Sequence, residues 1–258
     1  MDPGANQTSI MGVGQRTYVY VICSPHAHVG TTLTARLLVD FFLSQARPAH
    51  GFDTNHLDPA LAGVFPSAIQ VIDLATTRGQ MMLFDQLIED DKTSKVIDLW
   101  HVSYERFFKQ AVEIGFFAEA RARGLKCFIL LLTDPKERFV LEVGLLSLHG
   151  PGADVVLVQN EGFHDSNTAA IRGHIVRSGQ RPLVIPRLDQ PTLQLLAQPE
   201  ILICRFIGVP VPEEIRALQQ RLSDLVLPVF NQFELLEVAS ELNLPARSLL
   251  SRQRHRLS

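Results

Sequence analysis

Long hydrophobic runs are missing from this chain: no stretch approaches the roughly 18 uninterrupted apolar residues that a membrane-spanning helix requires. Cysteine is scarce too. The three present, Cys23, Cys127 and Cys204, lie far apart and form no CxxC pair, which argues against a zinc site or a disulfide framework and for a reducing, cytoplasmic setting. Two of them stand in apolar, strand-like runs, where cysteine behaves as a small buried hydrophobe. There is no excess of charge of either sign. A formal net charge of -3 at pH 7 creates no global attraction to nucleic acid or anionic membrane, so any such contact would be local. Residues 1–16 are polar, lack the hydrophobic core of a signal peptide, and read as a flexible leader.

Apolar side chains, by contrast, are abundant. Of the 258 residues 46% are hydrophobic and 20% charged, enough for a sizeable core and far from the composition of a disordered chain. Short apolar runs alternate with longer amphipathic stretches. The first run, Tyr18 to Cys23, has the β-branched and aromatic content of a buried strand. Thr31 to Ser44 then carries Leu33, Leu37, Leu38, Phe41 and Phe42 on one broad helical face.

Further strands are expected at Ile69 to Leu74, Lys95 to Leu99, Cys127 to Thr133, Val155 to Gln159 and Pro182 to Ile185. Helices are expected between them at Gly79 to Glu89, Ser103 to Arg123, Pro135 to Leu148 and Ser166 to Ser178. Strands separated by helices of this length predict right-handed crossovers and a mostly parallel sheet with helices on both faces. Gln194 to Ala197 and Glu213 to Asn243 read as helical, the latter region interrupted by Pro210, Pro212 and Pro228. The expected organisation is one α/β domain over residues 17–243, with a basic tail at 244–258 that is solvated and at most touches an anionic surface.

In a parallel sheet the turn after the first strand is the usual phosphate cradle. Here it reads Ser24-Pro25-His26-Ala27-His28-Val29-Gly30-Thr31-Thr32-Leu33-Thr34-Ala35-Arg36. A working phosphate loop surrounds the anion with backbone N–H groups and a helix N-terminus. A lysine adds a point charge, and a Ser/Thr hydroxyl ligates magnesium.

The segment closely resembles the loop of the ParA/MinD family of partitioning ATPases, roughly S-P-K-G-G-V-G-K-T-T-L-T-A, at Ser24, Pro25, Val29, Gly30, Thr31, Thr32, Leu33, Thr34 and Ala35. The departures fall on the residues that do chemistry. His26 stands at the signature lysine that reaches across a nucleotide-sandwich dimer, Ala27 and His28 replace two glycines, and the loop lysine has no counterpart. Weaker matches follow in order over about residues 18–199. Asp53 stands where the family has its acidic switch after the second strand, with Asn55 in place of the second acidic residue, and Asp98 lies in a segment resembling the one whose aspartate holds magnesium. Asn160 resembles the asparagine that reads adenine, and Pro186 the late proline near the base.

The resemblance implies a three-layer, P-loop NTPase-like sandwich that takes ATP or ADP with Mg2+. It implies roles for Asp53 in orienting the attacking water and for Asp98 and Thr31 in holding the metal. The phosphates would lie on His26, His28, Val29, Gly30, Thr31 and Thr32, and the base near Asn160 and Pro186. It also implies a protein partner and a homodimer. The alternatives from the residues alone are an ordinary βα turn and strand-end carboxylates that only cap the next turn. Asp73, in a second Val-Ile-Asp-Leu tetrapeptide, rivals Asp98.

Losing two cations beside a polyphosphate removes charge-assisted contacts of about 1.5–3 kcal/mol each. Charge stabilisation is nearly all of phosphoryl-transfer catalysis, so weak or lost hydrolysis is expected. Three substitutes for the lysine present themselves: Arg36 folding back, His26, or a partner's cation. His26 and His28 could also fill the cradle of a ligand-free scaffold, and their HxH spacing permits a metal only with a third ligand. Trp100 and His101, close to Tyr104 and Arg106, stand where the family has a Pro/Gly-rich switch; the readings are packing of the following helix by Trp100, or a partner-binding or ligand-stacking surface, with His101 able to face the cradle.

Overall fold

The computed structural model describes residues 16–132, 152–162 and 182–242. The helices expected at Pro135–Leu148 and Ser166–Ser178, the leader apart from Arg16, and the basic tail lie outside the described residues. Seven strands form one sheet: β1 (Tyr18–Cys23), β2 (Ala49–Asp53), β3 (Ile69–Val71), β4 (Ser94–Asp98), β5 (Lys126–Leu132), β6 (Ala153–Asn160) and β7 (Leu183–Ile185). Their order is β3-β2-β4-β1-β5-β6-β7, and every neighbouring pair is parallel.

The described helices are α1 (Thr31–Ser44), α2 (Ala60–Val64), α3 (Thr77–Leu87), α4 (Tyr104–Glu113), α5 (Phe116–Ala122), α6 (Gln190–Leu196), α7 (Ile203–Gly208) and α8 (Glu213–Glu241). The two-residue period of a strand divides them into layers. Tyr18, Tyr20 and Ile22 of β1 share a core with α1, α2, α6, α7 and α8. Val19, Val21 and Cys23 pack on the opposite face against α3, α4 and α5. Both faces are covered, which is why β1 is buried along its whole length and reads as an unbroken apolar run. The result is the three-layer α/β sandwich expected.

Helix α1 is buried at every residue from Thr34 to Phe42 because α7 and α8 cover the side that the sheet does not. Register then sets the working edge. Ile22 pairs with Asp98, and Asp53 with Asp98, so the carboxyl ends of β1, β2 and β4 are level.

Three expectations need correction. The continuous helix at Ser103–Arg123 is two helices, broken at Gly115, whose φ of 65° is a left-handed conformation that glycine takes without a steric cost. In the C-terminal region Pro212 is the N-cap, while Pro228 lies inside an unbroken 29-residue helix. The flanking turns of α8 are held by packing on α1, α6, α7 and β7, which outweighs the lost N–H donor. The short helices α2 and α7 have too few residues for a periodic signal and were not anticipated.

Two polar attachments fix α8. Glu237 accepts from Tyr20 Oη at 3.0 Å and from both terminal nitrogens of Arg47, at 2.6 and 3.0 Å. The same guanidinium lies 4.7 Å from the centroid of the Phe42 ring. Farther along the sheet, Gln232 Oε1 accepts from Val184 N at 2.8 Å while its Nε2 donates to Val184 O at 3.1 Å. A side-chain amide thereby meets the outer edge of β7 as another strand's peptide would. No described helix is long and apolar enough to cross a membrane.

Candidate phosphate-binding cleft

A cleft of about 350 Å³ opens at the carboxyl edge of the sheet, walled by the β1–α1 loop, Asn55, Asp98, Trp100, His101 and Asn160. Its floor is the amino end of α1. Gly30 serves as N-cap in a left-handed conformation (φ 100°), no side chain caps the helix, and its first turn carries no acidic residue. The orphan N–H groups and the positive end of the macrodipole are therefore available to an anion. His28, at φ 61°, adopts the left-handed conformation that a glycine would accept more readily.

The loop is clamped from β6. Asn160 Nδ2 donates to Val29 O at 3.1 Å, and Asn160 Oδ1 accepts from Gly162 N at 3.0 Å. A Cβ on Gly30 would come within 2.3 Å of Asn160 Nδ2, so only glycine fits here. Val29 itself is buried in the core and presents its carbonyl to this clamp, not to the cleft.

Asp98 lies on the cleft wall at 5% exposure. Burial pushes its carboxyl up to about 7, opposed by hydrogen bonds from Thr32 and, more weakly, Thr31, while the charge of Asp53 adds to the rise. Two hydroxyls and one carboxylate thus meet beside the helix end. This is the donor set for a hard divalent cation that takes its remaining ligands from phosphate and water. Among the described residues no group of three or more His, Cys, Asp or Glu could hold a metal unaided, so the HxH pair has no third ligand there. Asp73 does not line the cleft. Its Oδ1 accepts from Ala75 N at 2.8 Å and lies 3.5 Å from His56 Nδ1.

Asp53 has the hydrogen bonds of a cap. It is absent from the cleft wall. Its Oδ1 accepts from Asn55 N at 3.0 Å, and its Oδ2 from Leu61 N at 3.0 Å and Ala62 N at 3.4 Å, which closes the β2–α2 turn. Burial raises its pKa, and those N–H donors oppose the rise. Pro186 also lies off the wall, just beyond β7.

Arg36 does not fold back toward the loop. Its guanidinium is buried and donates to the carbonyls of Leu196 and Ile201. Asp40, one turn along α1, accepts from Cys204 N at 3.1 Å. Among the described residues the wall carries neither lysine nor arginine, and its titratable groups are His26, His28, His101 and Asp98. The cleft is open among the described residues, with His26 and His28 on its wall.

Thr54 escaped the sequence reading. Its hydroxyl donates to Asp98 O at 3.0 Å and accepts from Trp100 N at 2.7 Å, which fixes the chain just past β4. A threonine next to the strand-end aspartate was the only signal, and a common one.

No protein-family model matches the sequence, and no curated protein matches it. Solved structures similar to it include a nucleotide-binding protein from Archaeoglobus fulgidus, in complex with ADP, at 12% identity and a TM-score of 0.47, covering 72% of this chain and 87% of that one. A plasmid partition protein from Borrelia burgdorferi is similar at 10% identity and a TM-score of 0.44, covering 67% of this chain and 91% of that one.

Proposed function

We propose that the cleft binds an adenine nucleotide, ATP or ADP, with Mg2+, that hydrolysis is weak or lost, and that the protein acts through protein partners in positioning or regulation. One observation carries this reading: an uncapped helix end, two threonine hydroxyls and a buried carboxylate converge on a cleft whose wall, among the described residues, has no fixed cation. The N–H groups and dipole of α1 would hold the phosphates, with imidazole donors from His26 and His28. Thr31 and Asp98 would hold the magnesium, which supplies charge neutralisation when bound.

The residues fit binding better than turnover. A phosphoryl-transfer transition state needs charge stabilisation and a positioned water. Among the described residues no lysine or arginine lines the wall, and Asp53 is committed to backbone N–H groups of its own loop. Arg36, the cation nearest in sequence, is tied to the far side of α1.

Isothermal titration calorimetry with Mg-ATP and Mg-ADP at high protein concentration tests the binding. Heat with both nucleotides is expected, together with phosphate release near background. Absence of heat with either nucleotide overturns the binding half; sustained phosphate release overturns the loss of hydrolysis.

A further inference from the structure

The group that the family resemblance would assign to the base, Asn160, is engaged elsewhere: its amide nitrogen and oxygen hold Val29 and Gly162. Each of those atoms keeps one further hydrogen-bonding site, but the same wall also offers a planar ring an aromatic surface. Trp100, the only tryptophan of the chain, lines the cleft two residues beyond Asp98.

Its position is built, not incidental. The backbone N–H of Trp100 donates to Thr54 Oγ1 at 2.7 Å, and that hydroxyl donates to Asp98 O at 3.0 Å. The indole is braced by two imidazoles at near-perpendicular angles of 84°: His56 with its centroid at 5.9 Å and His101 at 5.8 Å. His56 Nδ1 in turn lies 3.5 Å from Asp73 Oδ1. Packing that fixes a ring plane before the ligand arrives lowers the ordering cost of stacking on it.

We infer that Trp100 is the surface on which the ring of a nucleoside phosphate stacks, so that base recognition sits at the β4 end of the cleft and not at the β6 end. This rests on the nucleotide reading of the cleft. Stacking uses the π face that every base possesses, so discrimination between bases is weak. The ligand class is a nucleoside di- or triphosphate of either purine, with its phosphates on α1 and its base on the indole.

Because Trp100 is the sole tryptophan, its fluorescence reports on this wall alone. ADP and GDP are expected to quench it at similar concentrations. By calorimetry, Trp100→Leu should loosen ADP and GDP by about 5- to 150-fold, the effect of removing one stacking platform. Trp100→Phe should restore binding to within a few-fold, and pyrophosphate should bind wild type and Trp100→Leu alike. Circular dichroism and thermal melting confirm that both variants fold.

Unchanged ADP affinity in Trp100→Leu overturns the inference while leaving the nucleotide reading intact. Equal weakening of pyrophosphate, or failure of Trp100→Phe to rescue, also overturns it by showing a merely structural role. If wild type binds none of these ligands, the nucleotide reading has failed and this inference falls with it.

Discussion

The carboxamide nitrogen of Asn160 stands 2.3 Å from the point where a side chain at Gly30 would begin. The end of β6 and the start of α1 are thus in contact through a glycine that has no room to become anything else. Gly30→Ala should destabilise the protein by at least the about 1–2 kcal/mol that a left-handed backbone costs an L-residue. The displaced Asn160 adds to that. Asn160→Ala removes the clashing amide, so the double variant should lose less than the two single variants together. Urea denaturation of the four proteins checks this, and strict additivity would contradict the contact.

Asp53→Ala should act on stability. Three backbone N–H groups, those of Asn55, Leu61 and Ala62, lose their acceptor, and a buried donor left unpaired costs about 1–3 kcal/mol. A drop in melting temperature, with nucleotide affinity changed less than in Asp98→Ala, is the expected pattern. A folded, equally stable Asp53→Ala protein would return Asp53 to candidacy for chemistry.

At the opposite end of the sheet, Glu237 receives Tyr20 and both nitrogens of Arg47. Glu237→Ala orphans a buried phenol and a guanidinium together, and hydrogen bonds to charged groups contribute about 1.5–3 kcal/mol. Glu237→Gln keeps one acceptor and should lose less. Chemical denaturation orders the two; equal losses would mean that charge alone matters.

Asp40 supplies a pH dependence. Burial pushes its carboxyl from 3.8 up to about 6, opposed by Cys204 and by the nearby Arg36 guanidinium. The folded state therefore holds this proton more tightly than the unfolded chain. The stabilisation is complete below about pH 4 and is lost as the pH rises through about 6. Asp40→Asn does not titrate, so its stability relative to wild type should improve between pH 4 and 6.5 and then level off. The span is about 3 kcal/mol, two pKa units at 1.36 kcal/mol each. Thermal melts of both proteins across that range check the slope; a flat difference contradicts it.

Periodicity made much of the fold legible in the sequence. Tyr18–Cys23 and Thr31–Ser44 form the expected strand and helix because one is apolar on both faces and the other carries a broad apolar stripe. The break at Gly115 was legible too: at about 100° per residue, Phe116 and Phe117 fall nearly opposite the stripe of Phe107, Phe108 and Ala111, so the two apolar faces do not belong to one continuous helix. The cleft was legible where residue type and position coincide, as in Gly30, Thr31, Thr32 and Asp98. It was not where one residue type serves two purposes. A carboxylate at a strand end looks alike whether it faces a ligand or caps a helix, and only the α2 N–H groups distinguish Asp53 from Asp98. Arg36 could have been read as internal, since Asp40 follows one turn later and the two lie among buried neighbours.

The amide of Gln232 on the outer edge of β7 limits how this protein can assemble. A strand from another molecule can join that border only by displacing both hydrogen bonds at Val184, and an unsatisfied sheet border is what templates edge-to-edge aggregation. Association at this border by strand addition is therefore disfavoured, which leaves the opposite border at β3, the helical layers and the mouth of the cleft for a partner.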